Sequence, residues 1–273
     1  MHSADGAPLE RGQWLNDVLQ QPSRKALIIG NNKYEEPANL LKCCVNDAEA
    51  MRAVLTKLGF ECTLLLDANR IAMIAGVGAF IQSLKRGDIV FVYFSGHVEE
   101  SEGHTYLIPT DYPSSGDVDN AVSLSVVMQR LNRLDLDLTN IIVLDCCRTD
   151  HNNPTFKSKS ISLSAPLQSS SVRLPSSGHF FVAFSSDPGT ASFEGGGRNG
   201  RFTGCLLPEL VKPGRRLAAA VAHACAVLQK WNGQNQQRAW VHFTPHPRLD
   251  ELVLLETHAQ PAAAASTSTS STS

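Results

Sequence analysis

Four short, mostly apolar runs organise the first half of this chain, and segments with helical spacing separate them. K-A-L-I-I-G at 25–30, the run at 60–66, D-I-V-F-V-Y-F at 88–94 and N-I-I-V-L-D-C at 140–146 have strand length and are rich in β-branched or aromatic residues. Apolar residues on consecutive positions, not alternate ones, mark strands covered on both faces. Between them, 46–58 places Ala50, Met51, Val54, Leu55 and Leu58 on one helix face, with Gly59 as its stop. Residues 71–84 form a second helix, weakened by Gly76 and Gly78, and 123–134 a third, with Ser123 in position to cap it. Alternation of this kind builds βαβ units, hence an α/β protein with a mostly parallel sheet. Strands at 179–184 and 239–243 bring the sheet to six strands, and helices at 203–210 and 217–231 help cover its two faces. Residues 105–108 read as a small excursion strand, and 249–255 alternates less clearly.

The ends differ from this body. Residues 1–23 form an N-terminal extension in which Trp14, Leu15, Val18 and Leu19 have helical spacing, as a short helix docking on the body would. Residues 257–273 are Ala, Ser, Thr and Pro with few bulky apolars, a composition expected to stay disordered. The domain proper is 24–256. The irregular stretch 148–178 is long for a loop inside a compact domain, which points to function or disorder. A net charge of −2 lacks the basic excess that nucleic acid or an anionic membrane would require. The first residues hold no apolar leader core, and no stretch reaches the eighteen or so apolar residues of a membrane span, so a cytoplasmic location is expected. Seven cysteines without a C-x-x-C pair give no zinc or redox motif, and in a reducing compartment most should be small core residues.

In open α/β sheets ligands bind beyond the carboxyl ends of strands. S-G-H at 95–97 follows the third strand, and D-C-C-R at 145–148 ends the fourth. A histidine and a cysteine thus emerge at one edge of one sheet, the minimum for thiol attack on a carbonyl with an imidazole moving the proton. Taken singly, His97 is better explained as an ordinary histidine and Cys147 as core filler. Taken together, at matched strand ends, the catalytic reading prevails. Alternation along a strand lets only one of Cys146 and Cys147 face the cleft, without saying which. A nucleotide-binding reading fails because neither G-x-G-x-x-G nor a P-loop follows the first strand.

These residues belong to a series of spaced matches: A-L-I-I-G-N at 26–31, V-N-D-A at 45–48, L-G-F at 58–60, Y-F-S-G-H at 93–97, Y-L-I-P-T-D at 106–111, V-L-D-C-C-R at 143–148 and G-R-F-T at 200–203. In this order they resemble the caspase-like cysteine peptidases, the paracaspase and metacaspase branches more than caspases proper. The spacing from His97 to Cys147 agrees with the caspase spacing of about 50 residues. The resemblance implies a caspase-like sandwich, with a large segment at 24–147, a linker at 148–178 and a small segment at 179–256. It selects Cys147, two residues after the strand-end aspartate, as nucleophile, and leaves Cys146 packed below.

The resemblance also implies a substrate. Asp47 and Asp145, with Glu194 as a third acid, would line a pocket for arginine or lysine, since carboxylates offer charge-assisted bonds to guanidinium. Asp47 has a rival explanation as an acid favoured at a helix N-terminus. Val182, Ala183 and Ser185 would pair with substrate backbone by strand addition. The N–H groups of Val98 and Cys147 would form the oxyanion hole. Val98 stands where the family usually has glycine, and valine adopts positive φ only with strain. That departure supports a rival reading, a catalytically silent module acting by protein binding or dimerisation. Glu99, Glu100, Glu102, Asp111, Asp117 and Asp119 lack the family's calcium-binding pattern and read as solvated loop charges, so no metal or cofactor is expected. Lys157, Lys159 and Arg173 are basic candidates for self-processing, and the edge near 239–243 is where a homodimer would form.

Overall fold

The computed structural model describes residues 22–36, 39–133, 135–146, 148–150, 172, 174–186, 197–230 and 239–256. Its centre is a six-stranded sheet made of β1 (Arg24–Gly30), β2 (Glu61–Leu66), β3 (Ile89–Ser95), β7 (Thr139–Asp145), β9 (His179–Phe184) and β10 (Trp240–Phe243). The spatial order is β10-β9-β7-β3-β1-β2, with every pairing parallel except β9 with β10. The continuous apolar runs are the buried central strands, and every residue of β7 is buried.

Two layers cover the sheet. Helices α1 (Cys44–Lys57), α4 (Arg201–Leu210) and α5 (Leu217–Lys230) pack on the face that carries Ala26, Ile28, Phe91, Tyr93, Ile141 and Val143. Helices α2 (Arg70–Gln82) and α3 (Leu124–Leu131) pack on the opposite face, against Leu27, Ile29, Val92, Phe94 and Ile142. The caps follow the sequence. Ser123 accepts from the Val126 N–H at 3.5 Å, and Gly59 takes φ +83° just past α1. Gly30 allows β1 to approach α1 closely: a Cβ there would lie 2.5 Å from the Cys44 carbonyl and 2.6 Å from Ala48 Cβ. A short helix, α6 (Pro247–Asp250), and an isolated bridge between Arg216 and Val253 occupy the stretch where alternation was weak.

A second, four-stranded sheet corrects the reading of 98–123. The excursion at 105–108 is one strand, β5 (His104–Leu107), flanked by β4 (Val98–Ser101) and β6 (Val122–Ser123), with β8 (Arg148–Asp150) on the outer side of β4. Glu99 and Glu100 are therefore not solvated loop charges. They lie in β4 at 3% and 7% exposure, and the Tyr112 hydroxyl donates to Glu99 at 2.6 Å. Their strand is too short and too charged to show a pattern in sequence.

Asn31, fully buried, ties the carboxyl ends of the strands together. Its N–H donates to the Ser95 carbonyl at 3.0 Å, its Oδ1 accepts from the Ala68 N–H at 3.0 Å, and its Nδ2 donates to the Ile108 carbonyl at 3.2 Å. This fixes the edge from which the chemistry-bearing residues project.

Candidate active site

The registers of the two sheets bracket one position. In the central sheet Ser95 of β3 is paired with Asp145 of β7. In the second sheet Val98 of β4 is paired with Arg148 of β8. Gly96 and His97 therefore span the gap between the two sheets, and Cys146 leaves the end of β7 beside Ser95. Cys147 itself lies outside the described residues, as do Glu194, Lys157, Lys159, Arg173 and the extension at 1–21.

His97 is partly buried and held at three points. Its N–H donates to the Tyr34 hydroxyl at 2.8 Å, its carbonyl accepts from the Ile108 N–H at 3.1 Å, and its Nε2 donates to the Asn39 carbonyl at 2.8 Å. A carbonyl can only accept, so in the neutral ring Nε2 carries the proton and Nδ1 the lone pair. The Tyr34 ring lies 4.6 Å from the imidazole, tilted by 56°. Burial pushes the Tyr34 hydroxyl well above its ordinary pKa, so it stays a neutral partner.

Cys146 is 2% exposed and packs in the core cluster with Phe94 and Leu144. Its backbone is strapped to the end of β9. The Cys146 N–H donates to Ser185 Oγ at 3.0 Å, while the hydroxyls of Ser185 and Ser186 donate to the Cys146 carbonyl at 3.1 and 2.9 Å. Ser185 is thus spent on holding this turn. Val182 and Ala183 are also not free to pair with a substrate. They sit in an interior strand, with Ile142 and Val143 of β7 on one side and His242 and Val241 of β10 on the other, at 0% exposure. The sequence shows a strand there but not which strands flank it.

Asp47, in the first turn of α1, and Asp145, ending β7, meet beneath the N-terminus of α4. Asp47 Oδ1 accepts from Asn199 Nδ2 at 2.8 Å and from the Gly200 N–H at 2.9 Å, and Ser95 Oγ lies 3.4 Å from Oδ2. Asp145 Oδ2 accepts from the Thr203 N–H at 3.1 Å and the Thr203 hydroxyl at 2.7 Å. The Thr203 hydroxyl proton is committed to Asp145, so Tyr93 Oη donates to Thr203 Oγ1 across 2.5 Å. A Cβ on Gly200 would lie 2.9 Å from Asp47 Oδ2 and 3.2 Å from Asp145 Oδ2, so both carboxylates crowd one spot. They are 1% and 6% exposed. Burial first, and the Asp145 charge second, push Asp47 up to about 7, against the hydrogen bonds from Asn199, Gly200 and Ser95. Among the described residues Asp47 has donors but no cationic partner.

Val98 lies extended in β4, outside the positive-φ residues, and its side chain packs in the core at 2% exposure. The valine is therefore unstrained where the family usually has glycine. Tyr34, Asn39, Asn199 and Thr203 were not legible as site residues. Asn39 acts through its backbone carbonyl, which no side-chain motif reports. The G-R-F-T run did mark Gly200 and Thr203, without a role. Among the described residues no cluster of three or more His, Cys, Asp or Glu side chains is arranged to hold a metal ion, and no helix is long and apolar enough to cross a membrane.

The profile of the Caspase domain family matches residues 23–249. Over 143 residues, 52% of this chain, the sequence is 29% identical to human mucosa-associated lymphoid tissue lymphoma translocation protein 1, covering 17% of that protein. Over 157 residues it is 27% identical to metacaspase-2 of Trypanosoma brucei brucei, covering 50% of this chain and 44% of the relative. The matches span less than half the length of these relatives. Caspase-1 of Spodoptera frugiperda superposes with a TM-score of 0.63 at 15% identity, over 88% of this chain and 92% of that one. Protein GSU0716 of Geobacter sulfurreducens superposes at 0.59 and 18%, over 85% and 97%. These two similarities speak for the fold. With the profile spanning both layers and the whole six-stranded sheet, this chain belongs to the caspase-domain peptidase family.

Proposed function

We propose that this protein is a cysteine endopeptidase that cleaves after arginine or lysine, with Cys147 as nucleophile and His97 as acid and base. The observation that carries the reading is the buried Asp47–Asp145 pair beside the His97 edge, where an acidic seat adjoins an imidazole of fixed tautomer. In this scheme Nδ1 of His97 takes the thiol proton and the Cys147 thiolate attacks the scissile carbonyl carbon. The oxyanion so formed is held by the N–H groups of Val98 and Cys147. The imidazolium then protonates the leaving amine, giving a thioester. Water, deprotonated by His97, hydrolyses the thioester and restores the thiol.

Ladder alternation fixes the direction of the Val98 N–H. The Ile108 N–H donates to the His97 carbonyl, which makes 97 and 108 the hydrogen-bonded pair. The next pair, Val98 and Leu107, is then the non-bonded one, and the Val98 N–H turns away from β5 toward β8. Extended φ at Val98 removes the strain argument for a silent module. Glu194 belongs to the same acidic pocket in this proposal, and the outer edge of β10 is its homodimer surface. No metal or cofactor enters the scheme. The test is a panel of fluorogenic peptides ending in Arg, Lys or Asp. Cleavage after Arg and Lys is expected, and cleavage after Asp alone would overturn the pocket.

A further inference from the structure

Strand β2 closes one side of the central sheet, and among the described residues only β1 pairs with it. A parallel edge strand turns the N–H and C=O of alternate residues outward, a template for one more strand. Edges that face solvent are ordinarily blunted by lysine, proline, a bulge or several charges. The edge E-C-T-L-L-L has none of these beyond Glu61 at its first position, and its register with β1 runs unbroken to Leu66. None of its six residues is buried.

A cleft of about 620 Å³ opens at the carboxyl end of this edge. Ligand pockets span about 300–1,000 Å³. Leu64, Leu65 and Leu66 all line it. Leu64 packs toward the α1 side of the sheet and Leu65 toward the α2 side, so what these consecutive residues share is the backbone edge itself. The walls are held in place before anything binds. Asp67 Oδ1 accepts from the Asn32 and Lys33 N–H groups at 2.8 and 3.0 Å, and the Glu35 N–H donates to the Thr110 carbonyl at 2.9 Å.

The charge of the walls selects the occupant. Three acids, Glu35, Asp67 and Asp111, stand against one base, Lys33, which lies 3.4 Å from Asp67. The N-terminus of α2 also borders the cleft, but its donors are occupied. The Arg70 N–H donates to Asp111 Oδ1 at 2.8 Å, and the Ala72 N–H to Asn69 Oδ1 at 2.9 Å. An anion therefore finds acids and spent donors, whereas a cation finds carboxylates. Outward backbone groups call for an extended chain, and the acidic walls call for basic side chains on it.

We infer that the cleft on the outer edge of β2 is a docking site for an extended peptide segment carrying lysine or arginine, added to the sheet as a further strand. The site is separate from the Asp47–Asp145 seat, since β1 and β3 lie between β2 and β7.

A fluorescein-labelled hexapeptide of alternating lysine and valine, titrated into the full chain, tests this by anisotropy, with amide hydrogen exchange and sedimentation alongside. Saturable binding is expected, with slower exchange in 61–66. A glutamate–valine peptide, and the lysine–valine peptide N-methylated throughout, should each bind at least about tenfold more weakly. Glu35→Lys and Leu66→Lys change exposed positions and should each weaken binding about tenfold, so either can decide if the other fails to fold. Asp47→Asn should leave binding unchanged. Absence of saturable binding, or unchanged exchange in 61–66 at saturation, overturns the inference. So does binding that Asp47→Asn abolishes, which would place the peptide in the seat under Thr203. A wild-type dimer that Leu66→Lys dissociates and the peptide does not would also overturn it, by assigning the edge to a second copy.

Discussion

Ser95 lies opposite Asp145 at the ends of β3 and β7, and the same offset in sequence returns when Val98 pairs with Arg148 in the second sheet. Two parallel ladders thus hold β3 against β7 and β4 against β8 with the same offset on either side of His97. A slip by one residue in the β3–β7 ladder would turn Asp145 out of its seat under Thr203.

The acid pair gives a pH signature with a definite sign. Asp47 titrates near 7 in the folded chain against an ordinary 3.8. A folded pKa above the unfolded value means stability is fullest below about 4 and is lost as pH rises toward about 7. Asp47→Asn keeps an acceptor for Asn199 and Gly200 and offers an N–H toward Asp145. Its melting temperature should match wild type near pH 4 and exceed it increasingly up to pH 7. A gap that does not grow with pH would refute the buried pair.

Thr203→Val preserves shape but removes the hydroxyl that donates to Asp145 and accepts from Tyr93. Two buried polar groups lose a partner, which should cost about 1–3 kcal/mol by chemical denaturation. Loss of the fixed Asp145 rotamer should raise KM for Arg peptides more than it lowers kcat.

Ser185→Ala removes the acceptor of the Cys146 N–H one residue before the proposed nucleophile. A loss of about 1–3 kcal/mol is expected, with kcat reduced and KM little changed. Cys146→Ala should keep turnover within a few-fold of wild type, since that thiol is core packing.

Tyr34→Phe keeps the ring against the imidazole and removes the acceptor of the His97 N–H. A misplaced imidazole should lower kcat about tenfold, equivalent to about 1.4 kcal/mol, with the pH profile of kcat displaced. Unaltered kcat would show that Tyr34 only fills space.

What the sequence made legible was governed by periodicity. The runs ending at Gly30, Ser95 and Asp145 announced themselves because buried parallel strands must be apolar throughout. The acidic residues Asp47 and Asp145 stood out through family register. The second sheet did not, because Val98–Ser101 is four residues long and carries Glu99 and Glu100, whose burial depends on partners distant in sequence such as Tyr112. Val182 and Ala183 were misplaced for a related reason. A strand is visible locally, but whether β10 occupies its free edge is a property of the assembled sheet. The hold of the Asn39 carbonyl on His97 is backbone chemistry and leaves no mark in residue types.

Covalent labelling with a peptidyl-arginine acyloxymethyl ketone, followed by peptide mass mapping, tests the central claim most directly. The account predicts one adduct, on Cys147, that disappears in His97→Ala and does not form with the matching aspartyl reagent. An adduct on Cys146, or labelling by the aspartyl reagent in place of the arginyl one, would contradict it.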